Sequence, residues 1–202
     1  MARLFALLAV VILLVGAIAA YQTFYSTPDQ PTTASTPNTS PAGRPTMAAS
    51  RDAAQSFDQK IAAVSSAAAI GRKSVHLVLT EQEVTSKIQD SMASAGITTL
   101  RNVVVKLGAG TATISATASL NGIDVPLDGD LRLTADSGLL SVDVTSLKAG
   151  GVNLPSALQR QVVEQAKQAA GLNDLHSIDV GIDVQKVQVT PGQLQIDGET
   201  RS

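Results

Sequence analysis

The residue types that most often carry chemistry are few in this chain and poorly placed for it. There are two histidines, His76 and His176, and no cysteine. The absence of cysteine removes disulfides, thiol nucleophiles, thiolate metal sites and a lipidated N-terminal cysteine. Neither histidine lies in a motif such as HExxH that would pair it with a second ligand or a general base. Both read as strand-edge or solvent-facing residues. Asp124, Asp128 and Asp130 form an acidic run. They occupy alternate positions on the polar side of an expected strand and lack the calcium-loop pattern, so a solvated face accounts for them. Gly108-Ala109-Gly110 and Gly150-Gly151 are turn glycines with no following helix placed to hold phosphate. The many Ser and Thr residues sit on polar strand faces, and none has a GxSxG context. No catalytic residue, metal ligand or cofactor site is expected, and the chain reads as a non-enzyme.

The elements around these residues say more. Thr111 to Leu120 alternates without a break: Ala112, Ile114, Ala116, Ala118 and Leu120 on one side, Thr and Ser on the other. That is a strand with one dry and one wet face. Asn121-Gly122 follows, the dipeptide of a two-residue type I′ turn. Ile123, Val125, Leu127, Leu131 and Leu133 then fall on odd positions. A two-residue turn pairs Leu120 with Ile123, Ala118 with Val125 and Ala116 with Leu127, apolar with apolar each time, so turn and pattern specify one register. Pro126 cannot donate to a ladder and implies a bulge or an edge.

Taken in order, the chain opens with an apolar run, Leu4 to Ala20, behind Arg3. Its length is at the short end of a membrane span. Two readings compete: a signal peptide cleaved after Ala17-Ile18-Ala19, or an uncleaved anchor continuing through Tyr21 and Phe24 with Tyr25 at the interface. The run exceeds most signal-peptide cores, which favours the anchor. Either reading exports the rest. Residues 1–25 are thus the expected anchor and residues 26–50 a linker, in which Pro, Thr and Ser supply 15 of 25 positions. As a coil that linker spans on the order of 30 Å, or up to about 80 Å in polyproline II. The folded domain is expected over residues 51–202, outside the cytoplasm and tethered by a single membrane pass.

Within that domain, Asp52 to Ile70 reads as a helix with Phe57, Ile61, Val64 and Ala68 on one face. A strand with Val75, Leu77 and Leu79 leads into Thr80-Glu81-Gln82-Glu83, a capping box. The helix it opens carries Val84, Ile88 and Met92 and ends near Gly96. Strands follow at Leu100–Leu107, through the central hairpin, and at Leu139–Leu147 with Leu140, Val142 and Val144 in phase. Pro155 begins a helix with Leu158, Val162, Ala166 and Ala169 on one face. Ile178 to Val189 and a short strand around Leu194 and Ile196 complete the pattern. The expected fold is α+β: one long-stranded, curled antiparallel meander with about three helices.

Composition narrows the partner. Net charge is −2 from 15 basic and 17 acidic residues, with no basic stripe, so nucleic acid is not an expected partner. Only Phe57 among the five aromatic residues lies beyond the N-terminal segment and linker, so no stacking platform can be assembled. What remains is the long aliphatic face. It reads either as a closed core under the helices or as a sheet curled around an acyl chain, with small residues such as Ala112, Ala116, Ala118 and Gly129 leaving room. On the second reading the lipid-contacting residues are Ile114, Ala116, Ala118, Val125, Leu127, Val142 and Val144.

The exported helix, the LTEQEV capping helix after a strand, the stretch NGIDVPLDGDLRLTADSGLLSVDVTSLKAGGVNLP and the closing GQLQIDG resemble two bacterial families. These are the LmeA-like phospholipid-binding proteins and the YpmS-like membrane-anchored proteins, whose domains look like halves of the tubular lipid-binding (TULIP) superfamily. The resemblance covers roughly Val75 to Gly198. It implies non-covalent handling of a phospholipid-like ligand at the cell envelope, with the membrane as partner, and transfers no catalytic residue. The alternative is an envelope scaffold or protein-interaction module with a closed aliphatic core.

Overall fold

The computed structural model describes residues 47–68, 73–94, 96–98, 100–120, 123–157, 159–160, 163–164 and 180–201. The expected anchor, Leu4 to Phe24, lies outside them, as do residues 26–46 of the expected linker and His176.

Among the described residues the named elements are α1 (Arg51–Ala68), β1 (Ser74–Thr80), α2 (Glu81–Ser94), β2 (Leu100–Leu107), β3 (Ala112–Leu120), β4 (Ile123–Asp136), β5 (Leu139–Ala149), β6 (Val152–Asn153), β7 (Ile182–Thr190) and β8 (Gln193–Thr200). Of the helix expected from Pro155, residues 156–157, 159–160 and 163–164 are helical. Its expected apolar face, Leu158, Val162, Ala166 and Ala169, lies outside the described residues, as does Ile178.

The fold is α+β with the expected curled antiparallel meander, but the meander does not take in every strand. β2-β3-β4-β5-β6 is a five-stranded antiparallel sheet of neighbours in sequence, and a separate three-stranded sheet has the order β1-β8-β7. The physical reason is that β8 has two edges. One pairs with β7 through the Pro191-Gly192 turn, where Gly192 takes a positive φ of 83°. The other pairs antiparallel with β1, from Ser74↔Glu199 to Thr80↔Gln193. The last strand is eight residues long rather than short, because it is the centre of its own sheet.

The small sheet lies across one end of the large one. The Gly110 amide donates to the Val189 carbonyl (3.0 Å), and the Gly192 amide to the Leu107 carbonyl (2.9 Å). Farther along β7, the Val184 amide donates to the Gly138 carbonyl in the β4–β5 turn (2.9 Å). This end of the large sheet is therefore capped. At the opposite end lie Leu120 at the end of β3, Ile123 at the start of β4, and the β5–β6 turn at Gly150-Gly151.

Helix α2 follows from its capping box. The Glu83 amide donates to the Thr80 hydroxyl (3.2 Å), and the Thr80 amide donates to the Glu83 carboxylate (2.8 Å). The helix ends in a Schellman arrangement: Gly96 at φ 68°, the Ile97 amide on the Met92 carbonyl and the Gly96 amide on the Ala93 carbonyl. Val84, Ile88 and Met92 are buried.

Its flank does something the periodicity did not reveal. Glu81, Thr85 and Gln89, spaced i, i+4, i+8, bond the backbone of Leu107, Val105 and Val103 along the outer edge of β2. The Leu107 amide donates to Glu81 (2.6 Å), the Val105 amide to Thr85 (2.9 Å), and Gln89 donates to the Val103 carbonyl (2.6 Å). Four helical residues rise about 6 Å and two strand residues about 6.8 Å, so the two repeats stay in step over this length. An otherwise unpaired strand edge is thereby closed.

Glu83 is also the junction of α1, β1 and α2. Its carboxylate accepts from Ser56, from Thr80 and from the Lys60 ammonium (2.8 Å), which also reaches the Val78 carbonyl (2.8 Å). Burial alone would raise its pKa. The Lys60, Ser56 and Thr80 donors outweigh that and leave it below the ordinary carboxylate value. Phe57 on α1 is 1 % exposed, and its burial contributes about 1.5–3 kcal/mol.

Candidate functional site

The candidate face begins with the β3–β4 register. Ala118 pairs with Val125, Ala116 with Leu127, Ile114 with Gly129 and Ala112 with Leu131. This is the register that the Asn121-Gly122 dipeptide and the apolar alternation specify. Pro126 sits at a local edge rather than at a bulge. Its carbonyl accepts from the Gly150 amide (2.8 Å), and regular β4–β5 pairing begins one residue later, at Leu127↔Ala149.

On β5 the pairing runs Leu131↔Val144 and Leu133↔Val142, then shifts at Asp130/Leu131 and continues as Gly129↔Leu147 and Leu127↔Ala149. The shift leaves Thr145 as an extra residue, a β-bulge. Above it the even positions of β5 face inward; below it the odd ones do. Leu147 and Ala149 thus join the inner face, although strict alternation from Leu140 excludes them. The signal was in the sequence: the apolar phase of this strand changes from Leu140, Val142 and Val144 to Leu147.

All seven sequence-derived candidates lie on this inner face. Ala118 is 0 % exposed and Ala116 1 %. Ile114, Leu127 and Val142 are also buried, whereas Val125 and Val144 are half-buried. The five buried residues belong to one apolar cluster with Phe57, Leu77, Leu79, Val84, Ile88, Val184 and Ile196 from the helices and the small sheet. Val125, Leu133, Ala135, Val144 and Ala149 form its half-buried margin on β4 and β5. A Cβ at Gly129 would stand 3.1 Å from Leu147 Cδ2, so the space this glycine leaves is taken by a neighbouring side chain.

No titratable group stands among the seven. The carboxylates are on the outer face, where they accept from hydroxyls across the strands. Ser115 donates to Asp128 (2.7 Å), and Thr113 and Ser146 donate to Asp130 (2.8 and 2.7 Å). Ser146 and then Thr113 hold the Asp130 carboxyl below its ordinary pKa against a smaller opposing effect of burial. Asp124 pairs with Arg101. Among the described residues no group of three or more His, Asp or Glu side chains is placed to hold a metal ion. His76 is exposed on β1 and contacts Asp197 on β8 (2.5 Å); this contact holds Asp197 below its ordinary pKa.

A half-open depression of about 380 Å³ lies beside the β2 bulge, lined by Met47, Ala48, Ala49, Gln89, Asn102 and Val104. Asn102 adopts a positive φ of 53° there.

A family model described as LmeA-like phospholipid-binding matches residues 52–199. No curated protein and no solved structure matches the chain.

Proposed function

The chain belongs to the LmeA-like phospholipid-binding family, and we propose that it is a membrane-tethered, extracytoplasmic domain that holds a phospholipid-like ligand without covalent chemistry. The observation that carries this reading is the family match from Asp52 to Glu199, which spans both sheets. The aliphatic inner face supports it. An acyl chain on that face gains about 0.8 kcal/mol for each methylene removed from water, and no carboxylate or ammonium there has to be desolvated. The contact set is Ile114, Ala116, Ala118, Val125, Leu127, Val142 and Val144. The chain reaches the buried five from the half-buried margin at Val125 and Val144. The Leu4–Phe24 segment serves as the anchor and residues 26–50 as the spacer.

One observation favours a second reading, a scaffold with a closed core: five of the seven candidates are packed into the common apolar cluster. Mass spectrometry of lipid retained by the purified full chain after detergent exchange separates the two. Ala116→Phe is the informative variant. On the lipid reading it occupies acyl-chain space, so bound phospholipid falls while the melting temperature changes little. On the scaffold reading it overpacks the core at about 1–3 kcal/mol, and no phospholipid is retained by either protein. Thr117→Phe, on the polar side of β3, leaves lipid content at the parent level.

A further inference from the structure

Of the described elements outside the large sheet, α1, α2 and the small sheet add side chains to the apolar cluster, and they are held in different ways. The small sheet is fixed by backbone hydrogen bonds at both ends of β7: the Val184 amide to the Gly138 carbonyl (2.9 Å) and the Gly110 amide to the Val189 carbonyl (3.0 Å). Helix α2 is fixed by its flank along β2 and by the Glu81 amide, which donates to the Gly192 carbonyl (3.2 Å). Among the described residues no backbone-to-backbone hydrogen bond joins α1 to either sheet or to α2.

The polar attachments of α1 are made by side chains and lie in its first half. Ser50 caps the helix: the Ala53 amide donates to its hydroxyl (3.3 Å), and its own amide donates to the Ser86 hydroxyl (3.1 Å). Ser56 and Lys60 donate to Glu83, Lys60 also to the Val78 carbonyl (2.8 Å), and Lys87 to Asp58 (2.8 Å). Beyond Lys60, among the described residues, the side-chain hydrogen bonding of α1 is internal, from the Ser65 hydroxyl to the Ile61 carbonyl (3.1 Å). Burial divides the helix in the same place: Ala54 and Phe57 are buried, Ile61 and Val64 half-buried. Lys60 and Asp58 are 37 % and 47 % exposed, so solvent weakens both ion pairs.

We propose that α1 is a lid on the apolar cluster, pivoting at Ser50 and latched by Ser56, Asp58 and Lys60, and that it lifts to let a phospholipid acyl chain reach the inner face. The inference rests on the lipid-binding reading and names the movable part of that site. Phe57 is the large side chain the lid places in the cluster that also holds Ile114, Ala116, Ala118, Leu127 and Val142. When α1 lifts, Glu83 keeps the Thr80 amide (2.8 Å) and hydroxyl (3.2 Å) and turns the rest of its carboxylate to water, so opening orphans no buried charge. The apolar area that Phe57 gives up is replaced by about two to four methylenes of acyl chain. Moving the small sheet or α2 instead would break backbone hydrogen bonds, whereas α1 opens by exchanging side-chain contacts for water.

The chain has no cysteine, so an Asp58→Cys, Lys87→Cys double variant is bridged selectively by a bifunctional thiol reagent with a cleavable disulfide. Full chain carrying the bridge, held in an amphipathic polymer, is mixed with phosphatidylethanolamine/phosphatidylglycerol vesicles that contain pyrene-labelled phosphatidylglycerol, and uptake is read as loss of excimer emission. The bridge should slow uptake about tenfold, and its reduction should restore the rate of the same variant capped with a monofunctional reagent. One rate with the bridge intact and cleaved overturns the lid and leaves lipid binding standing. Native-state hydrogen exchange on the parent chain tests the lid without lipid and without the variant. Amides from Phe57 to Val64 should exchange about tenfold faster than those from Val84 to Met92; a common rate overturns the lid. Absence of uptake in every form, with α1 exchanging ahead of α2, rejects lipid binding and leaves the lid standing.

Discussion

At the capped end of the large sheet two glycines meet Asp183 too closely to admit a side chain, although Gly110 and Gly192 in the same region are open; at the opposite end Gly150 and Gly151 are open. A Cβ on Gly198 would come within 2.3 Å of the Asp183 carbonyl oxygen, and one on Gly138 within 2.0 Å of an Asp183 carboxylate oxygen. At the opposite end, a Cβ on Gly150 or Gly151 would meet nothing within 4 Å, although both sit at positive φ. Around Gly198 and Gly138 the fold is a close-packed junction between strands far apart in sequence; at Gly150-Gly151 it is an exposed turn.

The largest expected effect is at Gly198. Gly198→Ala places a methyl against backbone in the central strand of the small sheet, where no flexible side chain can yield. It should cost about 3 kcal/mol, at or beyond the upper part of the range for overpacking, seen as a drop in melting temperature. Parent-like stability would show that the junction is looser than the comparison holds.

Glu83→Ala comes next. It leaves the Lys60 ammonium, 37 % exposed, and the Thr80 amide without their partner. Solvent at Lys60 reduces the full cost of an orphaned buried charge to about 2–3 kcal/mol. The same carboxylate sets a pH dependence. Glu83 and Asp130 both lie below their ordinary values in the folded state, so their contribution is complete above the unfolded carboxylate pKa, about 4, and is lost as pH falls through the folded pKa values. Melting temperature should hold from neutral pH to about 5 and then fall, and Glu83→Gln should flatten the acid limb. An unchanged limb in that variant would remove Glu83 from the account.

Thr85→Val keeps the shape of a side chain that is 0 % exposed but strips the Val105 amide of its acceptor. The expected cost is about 1–2 kcal/mol, with faster hydrogen exchange at Val105 and little change at the β5–β6 turn. Val152→Asp should be the smallest perturbation, within about 0.5 kcal/mol of the parent. A larger loss would mean that Val152 carries packing its exposure does not show.

The sequence determined what local chemistry can determine. The Asn121-Gly122 turn and the alternation of β3 specified one register, and the structure has it. The Thr80–Glu83 box opened α2, Gly96 closed it, and Val84, Ile88 and Met92 went inward. These features depend on neighbours within a few residues, and the relevant φ, ψ and hydrogen-bond preferences travel with the residues themselves. β2 to β5 of the large sheet were legible for the same reason, each joined to the next by a short turn, whereas the two-residue β6 was too short to leave a pattern. Even the bulge at Thr145 had left a trace, in the change of apolar phase along β5.

Only tertiary structure decided the rest. Nothing in the alternation of Val75, Leu77 and Leu79 says that their strand takes its partner from the other end of the domain, since any apolar strand face matches any other. The division into two sheets therefore had no signature in periodicity. Nor did the bonding of Glu81, Thr85 and Gln89 to the edge of β2, because polar residues on a helix flank read the same whether they meet water or a strand. The burial of Ala116 and Ala118, as against the half-exposure of Val125 and Val144, was likewise unreadable. All four share one dry face in the pattern, and how far each is covered depends on elements that sequence distance does not rank.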